Sequence, residues 1–103
     1  MERERDIEKW LRKKIEEMGG QFIKFTSPGN DGVPDRIALM PGGRIWFVEL
    51  KTSTGTTTAI QDWQIGRLKK LGFAAIVVKG MSDARAFADV LKDEQDGFLG
   101  GAD

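Results

Sequence analysis

Between Pro41-Gly42-Gly43 and a threonine-rich stretch at 53–58 lies Arg44-Ile45-Trp46-Phe47-Val48-Glu49-Leu50-Lys51-Thr52, an apolar run that ends on two charges one residue apart. Branched and aromatic residues bounded by turn formers predict a strand over 44–52, and Trp46, Phe47 and Val48 together predict a central one. Side chains alternate faces along a strand, so Glu49 and Lys51 share one face while Leu50 enters the opposite layer. An unpaired charge on a central strand is costly. The bland reading is a solvated ion pair worth about 0–1 kcal/mol; the sharper one is a site.

Upstream stands Gly32-Val33-Pro34-Asp35-Arg36. Val33 precedes a proline and is biased to extended backbone, which leads the chain into a strand over 35–40. The short turn 41–43 then joins this strand to the next as an antiparallel hairpin. Asp35 and Glu49 thereby come to the same end of neighbouring strands. They offer two oxygen ligands to a hard divalent cation, with Lys51 beside the water that such a cation would hold. Asp35 taken alone is also an ordinary turn residue after proline.

The rest of the chain builds a frame around this hairpin. Ile7, Trp10, Leu11, Ile15 and Met18 recur at helical spacing over 4–18, and Gly19-Gly20 stops the helix. A strand over 21–26 and a loop of turn residues at 27–32 follow. After the hairpin, 59–71 reads as a helix closed by Gly72, 73–79 as a doubly buried strand, and 82–92 as a last helix capped by Ser82 or Asp83. The order is αβββαβα, an α/β fold with a mixed central sheet flanked by helices. Residues 1–92 form one domain, and 93–103 are expected to be a flexible tail. Trp10, Trp46 and Trp63 occupy apolar positions; Trp46 reads as core, Trp10 and Trp63 as core or subunit interface rather than as base-stacking platforms. The basic residues of the first helix, among them Arg5, Lys9, Arg12 and Lys13, suit DNA phosphates or a salt-bridged surface about equally, since acids are interspersed with them.

Missing residue types narrow the chemistry. The 103 residues include no histidine, cysteine or tyrosine. Histidine bases, thiolate nucleophiles, thiolate or histidine metal sites and tyrosine nucleophiles are therefore excluded, leaving carboxylates and lysines. The formal net charge is zero, so affinity for a polyanion would have to come from local basic surface and bound metal. No apolar run approaches the ~18 residues that span a bilayer, and the charged N-terminus is unlike a signal peptide, so a cytoplasmic location is expected.

Pro34-Asp35 followed by Glu49-x-Lys51 on this element order resembles the PD-(D/E)XK nuclease superfamily, with its restriction-endonuclease-like αβββαβ core. Gly32-Val33-Pro34-Asp35-Arg36, Phe47-Val48-Glu49-Leu50-Lys51, Gln61 and Leu71-Gly72 resemble, more closely, the VRR-NUC (virus-type replication-repair nuclease) family in its stand-alone form, across roughly residues 4–80. The resemblance implies an endonuclease that hydrolyses DNA phosphodiester bonds with Mg²⁺ or Mn²⁺. Asp35, Glu49 and the backbone carbonyl of Leu50 would bind the metal. Lys51 would orient or deprotonate the attacking water, and Gln61 would complete the site, with Gln64 as a neighbouring alternative. The family's helix-1 glutamate falls on Glu4 or Glu8, which share a helix face. A branched DNA substrate such as a four-way junction, a role in phage or bacterial replication and repair, and a homodimer or larger homo-oligomer are the further expectations. The alternatives are a restriction-type or flap nuclease on the same fold, or a non-catalytic DNA-binding subunit.

Overall fold

A computed structural model describes residues 2–101. The elements run α1 (Glu4–Glu17), β1 (Gln21–Lys24), β2 (Arg36–Met40), β3 (Arg44–Lys51), α2 (Ala59–Lys70), β4 (Ala74–Lys79) and α3 (Gly80–Gly101). The four strands form one sheet in the order β1-β2-β3-β4. The first three are antiparallel neighbours and β4 is parallel to β3, so the sheet is mixed as expected. Only a parallel partner needs a crossover, and α2 is that connection.

The alternation expected of β3 sorts the two faces of the sheet. Val48 and Leu50 point into the main core with Phe22, Ala38, Met40 and Val78, beneath Ile7, Leu11 and Ile15 of α1 and Ala84, Phe87 and Leu91 of α3. Trp46 packs at the edge of this core, edge-on to Phe87 with ring centroids 5.2 Å apart. On the opposite face lie Ile45, Phe47, Glu49 and Lys51, where α2 packs on β4 and buries Ile65. Phe47 meets Phe25 and Phe73 edge to face, at 6.0 and 5.8 Å. Ile23, Ile45 and Phe73 on this side stay substantially exposed.

Two expectations are corrected here. The last helix does not end near Lys92: α3 continues to Gly101, and residues 102–103 lie outside the described residues. Tertiary contacts hold the extra turns, because the Trp46 indole donates to Glu94 at 2.9 Å and the Gln95 amide donates to the Met18 carbonyl at 3.1 Å. Helix α3 also begins earlier than a cap at 82 or 83 implies. The Asp83 carboxylate accepts from the Lys79 amide, and the Glu2 carboxylate, reaching from the far end of the sequence, accepts from the Met81 and Ser53 amides. The second, core or subunit interface for Trp63, loses its first alternative, since the side chain is 59 % exposed. Ile65 takes the inward position on α2 instead.

Candidate active site

Among the described residues, Glu49 is the one charged residue buried with the core side chains, at 5 % exposure. It stays there because β3 is paired on both sides and a fixed register leaves its side chain no other face. Lys51, two residues on, lies with its Nζ 3.6 Å from Glu49 Oε2. From α2, the Gln61 amide donates to the same oxygen at 3.4 Å, a long hydrogen bond.

Register brings Asp35 to this pair. Arg36 is opposite Val48, so Asp35 stands one step beyond the end of β2 at the level of Glu49, and its carbonyl accepts from the Phe25 amide at 2.9 Å. The Arg36 guanidinium approaches Asp35 Oδ2 at 3.3 Å and donates to the Asp35 carbonyl at 3.1 Å. Asp35 Oδ1 is buried with no hydrogen-bond partner. Burial pushes the Glu49 carboxyl above its ordinary pKa, and the nearby charge of Asp35 pushes the same way, opposed by Lys51 and reinforced by a smaller push from Glu4.

Glu4 and Glu8 are thus separated by their surroundings. Glu4 is felt at Glu49, whereas Glu8 pairs with Arg12 one turn further along α1 at 2.6 Å. Leu50 directs its side chain into the main core, leaving only its backbone for any role at the site. Gln64 is turned away, donating to the Asp31 carbonyl at 3.0 Å.

The cap at the start of α2 explains why Gln61 points where it does. Thr58 caps α2, its hydroxyl accepting from the Gln61 backbone N–H while its own backbone N–H donates to Gln61 Oε1 at 2.9 Å, a reciprocal capping box. Gln61 thus uses its carbonyl oxygen to close the helix and its amide nitrogen to reach Glu49. The loop carrying Gly32 backs directly onto this turn. A side chain at Gly32 would place its Cβ 2.8 Å from the Ile60 carbonyl carbon and 3.0 Å from the Gln61 nitrogen, and the residue has φ +82°. The motif Gly32-Val33-Pro34-Asp35-Arg36 therefore contributes three things: a close approach to α2, a carboxylate, and a guanidinium that holds that carboxylate. Arg36 was given no role from sequence; the only signal for it was its place beside Asp35.

Two carboxylates that repel one another, Glu49 buried and Asp35 half-exposed but with one unpartnered buried oxygen, fit a hard divalent cation bound through oxygen. Among the described residues no three acidic side chains gather as a ready-made cation cage.

The comparisons with known proteins bear on the family and the fold. The chain is 43% identical over 76 residues to a protein described as "Putative nuclease p44" from Acyrthosiphon pisum secondary endosymbiont phage 1, covering 74% of this chain and 82% of that protein. A solved structure described as "VRR_NUC domain" superposes with a TM-score of 0.78 and 28% identity, covering 84% of this chain and 94% of the other. A second, described as "VRR_NUC domain protein", gives a TM-score of 0.64 over 85% of this chain and 86% of its own; at 17% identity it speaks for the fold alone. No family model matches the chain.

Proposed function

The chain belongs to the VRR-NUC family of nucleases, and from that premise we propose that it is a Mg²⁺- or Mn²⁺-dependent endonuclease that hydrolyses phosphodiester bonds of DNA. The observation that carries this reading is the buried Glu49 carboxylate with Lys51 3.6 Å away on the same face of a central strand and Asp35 at its level on the next. Bound by Asp35, Glu49 and the Leu50 carbonyl, the cation would offset charge on the phosphate oxygens and make a water molecule easier to deprotonate.

The protein's own groups do the rest. Lys51, 18 % exposed at its side chain, is held by Glu49 within reach of the attacking water, where it orients that water, takes its proton or offsets phosphate charge. Gln61 fixes the Glu49 rotamer from α2. Arg36 keeps Asp35 at the strand end. Glu4 adds negative charge at the edge of the site, consistent with the helix-1 glutamate role.

A branched substrate of the four-way-junction type, in phage or bacterial replication and repair in the cytoplasm, is the specific role we assign. Cutting two strands symmetrically takes two sites, and a chain of this size holds one, so the active form is a homodimer or larger symmetric assembly. No helix among the described residues is long and apolar enough to cross a membrane.

The test is cleavage of labelled four-way junction, flap, linear duplex and single-stranded DNA with Mg²⁺, Mn²⁺ or EDTA, by wild type and Glu49→Ala. Metal-dependent junction cutting, lost in the variant, is the expected result. Cutting confined to flap or duplex would reassign the substrate, and binding of DNA without cutting in any metal would make the chain a non-catalytic subunit.

A further inference from the structure

Helix α2 is apolar on two sides, and only one of them is covered. Its inner side presents Gln61 to Glu49 and buries Ile65 at 7 % exposure. Two residues further along a helix is a turn of about 200°, so Trp63 faces outward, where it is 59 % exposed. Arg67 follows at i+4 with its guanidinium 5.7 Å from the Trp63 ring centroid, and Lys70 lies on the same stripe. These side chains border an open groove of about 510 Å³ that Asp62, Gly66 and Leu71 complete.

A single exposed tryptophan is unremarkable on a protein surface, but here it occurs with two further features. Gly66 sits in mid-helix, where glycine costs about 1 kcal/mol relative to alanine. Beyond its chain neighbours and the helix's own backbone, no atom lies within 4 Å of where its Cβ would be, and its φ is not left-handed, so neither crowding nor backbone geometry demands glycine. What its bare backbone does is leave open the space beside the Trp63 ring. The charge around that space is also one-sided. The Asp62 carboxylate is engaged by the Thr57 hydroxyl, while Arg67 and Lys70 form no ion pair among the described residues.

We propose that the Trp63–Gly66–Arg67–Lys70 groove on the outer side of α2 is a subsite for an unpaired nucleotide of the DNA substrate, the base stacking on the Trp63 ring and the adjoining phosphate meeting Arg67 and Lys70. An aromatic face is available to a base only when that base is out of its pair, since paired bases already stack within the duplex, and base–aromatic stacking is indifferent to base identity. Arg67, with its guanidinium 5.7 Å from the ring centroid and itself lining the groove, places a positive charge beside a base stacked there. The subsite lies about one helix diameter, ~10–12 Å, from the Gln61 side of α2, so the nucleotide it holds is not the one being cut but a near neighbour on the strand. The proposal rests on the nuclease reading and deepens it: strands with unpaired nucleotides next to the cut are the preferred class.

The test uses the full chain in EDTA and measures fluorescence anisotropy of a labelled oligothymidine and of a duplex of equal length, with sedimentation velocity on the same samples. Trp63→Ala should weaken oligothymidine binding roughly 5- to 150-fold while duplex binding changes by less than about threefold, and Trp63→Phe should retain most of the affinity. Gly66→Leu, a substitution that favours the helix, should reproduce the loss by filling the groove. Unchanged oligothymidine affinity in Trp63→Ala and Gly66→Leu, or an equal loss for duplex, would overturn the subsite. Dissociation of an oligomer by Trp63→Ala with oligothymidine affinity unchanged would instead give this face to a second copy of the chain. Cleavage by wild type with Mg²⁺ or Mn²⁺ is scored separately. A Trp63-dependent preference for single strands in a protein that cuts nothing would sink the nuclease reading and leave the subsite standing; normal cutting with no such preference would do the reverse.

Discussion

Glu49 concentrates the conflict of this fold into one side chain. Its folded-state pKa is raised, first by burial and then by Asp35, so the folded chain holds the Glu49 proton more tightly than the unfolded chain does. Without a divalent cation, this group's contribution is fully present below the ordinary glutamate range and is lost as pH rises through the raised value. Glu49→Gln should therefore raise the thermal midpoint in EDTA at neutral pH and remove the further rise expected of wild type with Mg²⁺ or Mn²⁺, both read by calorimetry. A metal-induced shift that survives Glu49→Gln would take Glu49 out of the ligand set. Lys51→Ala should lower turnover by roughly 10²- to 10⁴-fold, the scale of a lost proton-transfer group, with DNA affinity retained in an electrophoretic assay. Loss of binding with turnover intact on bound substrate would contradict the role assigned to Lys51. Both residues were legible in sequence because strand alternation alone puts them on one face. Arg36 was not, since nothing in its spacing distinguishes a guanidinium that turns back onto Asp35 from one that faces solvent.

The elements around the site act through their ends. Thr58 and Gln61 close the N-terminus of α2 reciprocally, and the same Gln61 side chain reaches Glu49. Thr58→Ala should cost about 1 kcal/mol of stability, as lost caps do, and should lower activity as well because Gln61 loses the partner that sets its rotamer; Thr58→Ser should restore both. Stability lost without any change in activity would show that Gln61 is positioned by other means. Gly32→Ala tests the other wall. Its left-handed backbone costs a substituted residue about 1–2 kcal/mol, and the added Cβ collides with the backbone at Ile60 and Gln61. Activity should fall further than the stability loss explains, read as turnover at a temperature well below the midpoint. The strand and helix boundaries expected from pattern agree with the observed ones to within one or two residues for every element but α3. There the expectation stops at Lys92 because chain termini commonly fray, and what extends the helix is the pairing of Glu94 and Gln95 with Trp46 and Met18, residues distant in sequence.

At the scale of the molecule, one face of the sheet is sealed by α1 and α3 and the other only partly by α2. The sealed face carries the stability. Leu11→Ala, which empties a fully buried position, should cost about 2–5 kcal/mol by denaturant titration without altering the site, so turnover of the folded fraction should stay near wild type. The half-covered face carries the candidate site, with Glu49 and Lys51 in line with Ile45 and Phe47 on β3. Symmetric cutting predicts a homodimer by sedimentation velocity at assay concentration; a monomer that cuts both junction strands with independent kinetics would remove the requirement for paired sites.

The sequence by itself determined the element order, the strand alternation that separates Val48 and Leu50 from Glu49 and Lys51, the hairpin that levels Asp35 with Glu49, and the exclusion of histidine and thiol chemistry. These are local properties, set by side-chain period, turn residues and the residue types present. Tertiary structure alone decided that Glu4 rather than Glu8 is felt at Glu49, that Glu2 closes the start of α3, that α3 runs on past Lys92, and that Trp63 faces out while Ile65 faces in. Each of those depends on how one element is rotated or seated against another. Rotation and seating follow from the packing of whole faces, for which a one-dimensional pattern supplies a period but not a phase.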